Sequence, residues 1–243
     1  MTTATQARTL LAWFARRALI VLTWTLLASS AIAAGLAAIA VWQGWPEVSR
    51  APAQPVDGEA VIAFSSTIFG IPLGAVGLAA FVVAVAHVGG FTRPILASGA
   101  TRAALASAQI AHALLLAVAA SAVAAVVLAL EAAFAGGWIG STFGLGPGDS
   151  FADGVPALAG GFGGALGAML AGSLVVAVFL RWRWWVGVGM LATVAWVLPA
   201  LAAWLEPLGT ALTALAAWPG AMPLGIVGLA VAHWFVLRRL PVP

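Results

Sequence analysis

Lysine is missing from this chain altogether: all ten basic residues are arginine. A phosphate-binding P-loop needs its lysine to reach the β- and γ-phosphates, so the chain is no P-loop ATPase by itself. Cysteine is absent as well, which excludes disulfides and thiolate metal sites but leaves the redox compartment open. With no tyrosine, tryptophan alone must supply aromatic anchoring at a membrane interface. Charge is the scarcest commodity. Only 7% of residues are charged, against about 25% in a soluble domain, so a water-facing surface could not be covered.

What the chain has is apolar length. Of its 243 residues 63% are hydrophobic, and the mean hydropathy is +1.11. In lipid every backbone group must be bonded internally, which restricts the choice to helices or a closed barrel. Barrel strands alternate polar and apolar over roughly ten residues. The runs here are apolar on every face for twenty residues or more, enough to cross about 30 Å of hydrocarbon as helix. The sequence therefore reads as an all-α polytopic membrane protein with one transmembrane domain over 1–243. Six spans are expected, at about 18–42, 61–88, 103–134, 155–180, 184–205 and 221–237. No internal repeat is evident. Pro219, Gly220 and Pro223 interrupt the last apolar region, so "LGTALTALAAW" before them reads as a short re-entrant helix ahead of the sixth span.

Orientation follows from the arginines. With both termini cytoplasmic, Arg8, Arg16, Arg17, Arg93, Arg102, Arg181, Arg183, Arg238 and Arg239 lie inside and only Arg50 outside. All seven acids then lie in or beside the outer loops. The tryptophans agree: Trp42, Trp45, Trp138, Trp204 and Trp218 mark the outer interface, and Trp13, Trp182, Trp184, Trp185 and Trp234 the inner one. Near the start, "ARRALIVLTWTLLASSAIAA" resembles a secretory signal. Cleavage near Ala33 would leave five spans, but the apolar run continues to Trp42, which favours a retained span. Ahead of it Leu10, Trp13 and Phe14 cluster opposite Arg8, the pattern of an interfacial helix on the inner surface, although Arg17 departs from it.

Between the second and third runs lies "TRPILASGATRAAL", Thr92 to Leu105, where water-soluble character briefly returns without a single acid. Pro94 suits a first helical turn, Gly99 can end that turn, and Thr101 can cap the long helix that follows. A short cytoplasmic helix joined tightly to two spans is expected. By topology alone it could be a loop that merely obeys the charge rule.

"LASGATRAALASAQIAHALLLAVAASAVAAVVLALEAAF" resembles the middle of permease subunits of type-2 ATP-binding-cassette exporters, in which a Gly-x-Thr-Arg turn opens a third span that ends near a glutamate, here Glu131. "VFLRWRWWVGVGMLATVAW" is similar to that family's basic, tryptophan-rich inner turn, and the broken region before the sixth span to its external re-entrant helices. The likeness covers residues 60 to 200 by pattern, and no single motif in it is diagnostic. It implies that residues 92–102 form a coupling segment, with Arg93, Pro94, Gly99, Thr101 and Arg102 docking on a separate ATPase subunit. It also implies a second permease copy or paralogue, ATP and magnesium held by the partner ATPase, and no cofactor on this chain. The extended outer domain of some relatives is missing here. No catalytic residue, bound metal or nucleic-acid partner is expected; membrane lipid is.

Other candidates carry two readings each. Ser65, Ser66 and Thr67, followed by Gly70 and Pro72, could line a substrate path or simply bond across helices. Gly160, Gly163, Gly164 and Gly167 have the four-residue spacing that permits close helix contact, within the chain or with another. His87, His112 and His233 lack metal-ligand spacing and read as structural. Glu131 is an intramembrane suspect, yet its place at a helix end favours interfacial solvation over ion coupling. The expected function is thus a non-catalytic permease subunit exporting a hydrophobic or amphipathic cargo across a bacterial plasma (inner) membrane. Exclusive arginine with abundant alanine fits a G+C-rich bacterial genome. The alternative is an ion- or proton-coupled secondary transporter, although midplane charges and repeated halves are lacking.

Overall fold

The computed structural model describes residues 2–42, 70–134, 142–143, 145, 149–182, 184–193, 200, 210, 214, 218 and 220–240. Six helices account for most of them: α1 Thr3–Trp42, α2 Ile71–Ala97, α3 Arg102–Phe134, α4 Phe151–Arg181, α5 Trp184–Ala192 and α6 Ala221–Arg238. All but α5 are long and apolar enough to cross a membrane, and no strand occurs among the described residues. The chain is a polytopic helical membrane protein. Half of the expected fifth span, most of the re-entrant segment, the first part of the expected second span, and Ser65, Ser66 and Thr67 lie outside the described residues.

Helix α1 differs from the sequence expectation. The residue pattern predicts an interfacial helix followed by a separate span, whereas Thr3–Trp42 is one helix of 40 residues. The reason is local. No proline occurs in it and no glycine precedes Gly35, so nothing interrupts the ladder of hydrogen bonds. At 1.5 Å per residue it is about 60 Å long, twice the hydrocarbon thickness. Thr2 opens it as N-cap, its Oγ1 accepting the Thr5 N–H at 3.3 Å. Helix α4 begins earlier than expected because Ser150 and Asp153 form a cap: Ser150 N–H and Oγ–H both donate to Asp153 Oδ2 at 2.7 Å.

The chain divides into two compact units, and the division falls inside α1 to α4. One comprises Met1–Arg16, Phe81–Leu116 and Gly163–Pro243; the other comprises Arg17–Ala80 and Ala117–Phe162. Charge separates with them. The first holds Arg8, Arg16, Arg93, Arg102, Arg181, Arg183, Arg238 and Arg239 with Glu206 as its sole acid. The second holds Arg17, Arg50 and the other six acids. In the arginine-rich unit Phe14, Val88, Leu105, Ala177 and Leu237 are buried in one apolar cluster. There the expected stripe of Leu10, Trp13 and Phe14 packs against protein, and Phe14 is wholly enclosed.

Candidate functional site

The most specifically built feature of the arginine-rich unit is the elbow between α2 and α3. Gly99 has φ of +92°, the left-handed region where a side chain would be strained. Its N–H donates to Leu96 O (3.1 Å) and the Ala100 N–H donates to Ile95 O (3.3 Å), the paired bonds of a Schellman C-cap. Thr101 then caps α3, its Oγ1 accepting the Ala104 N–H at 3.2 Å. One helix stops and the next starts within four residues, so the elbow is stiff. Pro94 behaves differently from its expected role. It lies inside α2, which runs unbroken to Ala97, so there is no separate short helix. Its missing donor falls one turn from the helix end, and the following turn closes through Ser98 N–H to Pro94 O at 3.0 Å.

Two further bonds anchor the elbow within its unit. Gln6 Oε1 on α1 accepts the Thr101 N–H at 3.2 Å. Arg93 donates from its guanidinium to Leu180 O at 3.5 Å, serving one of the orphan carbonyls in the last turn of α4. Arg102 is half-buried, and its Nε has no hydrogen-bond partner.

Beneath the elbow lie two buried polar groups that the sequence spacing did not reveal. The Gln109 side chain uses both ends of its amide: Nε2 donates to Thr92 Oγ1 (3.0 Å) and Oε1 accepts from His233 Nε2–H (3.2 Å). His112, one turn further along α3 and on the same face, meets His87 of α2, Nε2 to Nδ1, at 2.9 Å. All five side chains are buried. Trp13 and Phe14 of α1 lie against the His87 ring, their ring centres 6.2 and 4.8 Å from it.

Satisfaction of polar atoms assigns the tautomers. His112 Nδ1 and His233 Nδ1 are buried without partners. A stranded N–H is costlier than an unused lone pair on an atom with weak demand. The hydrogen of each ring therefore sits on Nε2, and His112 donates to His87. Thr92 belongs to the last turns of α2, so the Thr92–Gln109–His233 chain couples the elbow to α3 and α6. No grouping of three potential metal ligands occurs among the described residues. The bonds tie α2, α3 and α6 to one another.

In the other unit, Glu131 is buried instead of solvated. Its carboxylate accepts the Thr142 N–H (2.8 Å) and the Phe143 N–H (3.3 Å), pinning a turn eleven residues along the chain. Hydrogen bonds to a charged group contribute about 1.5–3 kcal/mol each, and 1.4 kcal/mol is a factor of ten. Glu131→Ala is expected to speed amide exchange at Thr142 and Phe143 at least tenfold while leaving α6 unaffected, by the local-opening argument. Unchanged exchange at both amides would refute the pinning role.

The glycines of α4 do not share one environment. A Cβ on Gly163 would strike the Met222 side chain of α6, whereas Gly160, Gly164 and Gly167 meet no atom within 4 Å. Two positions outside the four-residue pattern make close contacts: Gly172, where a Cβ would lie 2.7 Å from Phe81 and 2.8 Å from Val85, and Gly154, which faces Leu128. Spacing marks a glycine as small; only packing shows which neighbour uses the space.

Comparison with family profiles, with curated proteins and with solved structures finds no match to this chain. The class it belongs to is set by its helices: a multi-pass α-helical membrane protein.

Proposed function

We propose that the chain is the membrane-spanning permease subunit of an ATP-binding-cassette exporter, driven by separate ATPase subunits and paired with a second copy or a paralogue. The observation that carries this reading is the elbow. A stiff, acid-free turn with Arg93 and Arg102 at its two sides is bonded to α1, α4 and, through Thr92 and Gln109, to α6. A motor pressing on such a turn would displace several helices at once. With both termini and the elbow on the cytoplasmic side of a bacterial inner membrane, the arginine distribution obeys the positive-inside rule. The spans offer few fixed charges, which favours a hydrophobic or amphipathic cargo.

The test is to isolate the chain from its native membrane under mild conditions. An ATPase subunit should accompany it, and ATP hydrolysis should disappear once that subunit is stripped away. Hydrolysis by the stripped chain would overturn the proposal.

One observation favours a second reading, a proton-coupled secondary transporter: three buried histidines, two of them bonded to each other and the third to Gln109. Against it, no Asp or Glu side chain occurs among the described residues of the arginine-rich unit to act as a relay partner. Uptake driven by a proton gradient in liposomes holding only this chain would decide for it.

A further inference from the structure

Helix α6 buries little of itself. Only 11% of its apolar window is covered by the chain, against 39% for α2. Leu224, Val227, Val231 and Phe235 fall at spacings of three, four and four residues and so share one face. They are 61%, 58%, 51% and 49% exposed. His233 and Leu237, the buried residues of the helix, belong to its other side.

At the C-terminal end of that exposed stripe stand two arginines. Arg239, four residues beyond Phe235, holds its guanidinium 5.7 Å from the Phe235 ring centre. Arg238, four residues beyond Trp234, lies 4.8 Å from the Trp234 ring centre. Both arginines are exposed, and neither forms an ion pair among the described residues. The aromatic faces hold each planar cation close to the helix. The result is an apolar track about 16 Å long, at ~1.5 Å per residue, closed by a double cation. Half of a bilayer's hydrocarbon is about 15 Å, so the track accommodates a full acyl chain.

We propose that the end of α6 is a binding site for an anionic phospholipid. Its phosphate takes the guanidinium groups of Arg238 and Arg239, and an acyl chain lies along Phe235, Val231, Val227 and Leu224. Guanidinium matches phosphate in both charge and bidentate geometry. A zwitterionic lipid fills the track equally well but brings a compensating cation to the arginines. Discrimination therefore resides in the headgroup. This proposal does not rest on the transport reading.

The test uses the full chain reconstituted in vesicles with equal amounts of phosphatidylglycerol and phosphatidylcholine of matched acyl chains. The lipid retained after mild solubilisation is counted by native mass spectrometry. A juxtamembrane arginine contributes about fivefold in affinity, so wild type should retain phosphatidylglycerol by at least that ratio. R238Q/R239Q should bring the two lipids to near parity, and R238K/R239K should keep most of the preference. R50Q, which removes a charge from the other unit, should leave the preference unchanged. Should the glutamine variant fold poorly, wild type alone remains decisive: the preference must fall as salt rises from tens of millimolar to molar. A preference that survives R238Q/R239Q, resists salt, or falls equally in R50Q overturns the proposal.

Discussion

Gln109→Leu is expected to be among the most destabilising conservative-sized substitutions in the chain. It removes the bond to Thr92 and the bond to His233 together, and strands a hydroxyl and a ring N–H in a buried site. Interhelical side-chain bonds in membrane proteins average roughly 0.6 kcal/mol and reach about 1.7, because the unfolded chain in lipid also finds partners. A stranded buried donor adds about 1–3 kcal/mol. The second effect is larger, so a loss near 2–4 kcal/mol is expected, read as a lower unfolding midpoint in mixed micelles. The double variant Gln109→Leu/His233→Phe supplies the sharper measurement. Removing both partners of a buried bond costs less than removing one. The double variant should therefore recover part of the loss. Strict additivity of the two single changes would show that the amide and the imidazole do not depend on each other.

The second large effect concerns Arg93 and Arg102. Arg93→Glu/Arg102→Glu is expected to abolish co-isolation of the ATPase, a weakening well beyond tenfold, since like-charge juxtaposition at an interface costs several kcal/mol, on the order of a factor of ten per 1.4 kcal/mol. Membrane insertion should persist, because seven of the nine arginines on the inner side by the positive-inside reading remain. Arg93 also donates to Leu180 O, so a carboxylate there meets the negative end of α4. Arg93→Gln separates the two contributions: it removes the cation without setting an anion beside the Leu180 carbonyl. Undiminished association of the reversed-charge protein, or labelling of residue 93 from outside the cell, would remove the basis of the proposed coupling.

The two sites were legible to very different degrees. The elbow could be read in advance at Gly99 and Thr101, because helix stops and starts are chosen by residues within one turn of the boundary. The left-handed φ of Gly99 and the side-chain cap of Thr101 are the local consequences. Pro94 misled for a related reason. Proline is tolerated both at the start of a helix and near its end, and the choice depends on whether the preceding residues are already helical. The histidines could not be read at all beyond their polarity. His87 and His112 are 25 residues apart, and Gln109 and His233 are 124 apart. Helical periodicity places Gln109 and His112 on one face of α3, but not what that face meets.

By itself, then, the order of residues determined a helical membrane chain, its charge asymmetry and the elbow that joins α2 to α3. These depend on transfer energies and on bonds between near neighbours, which hardly vary with the rest of the fold. Tertiary packing decided that His87 meets His112 and that His233 meets Gln109, that Glu131 holds a turn instead of facing water, and that Gly163 and Gly172 rather than Gly160 and Gly164 receive neighbouring side chains. Those outcomes rest on contacts between distant segments, and a helix's own periodicity names the face without naming its partner.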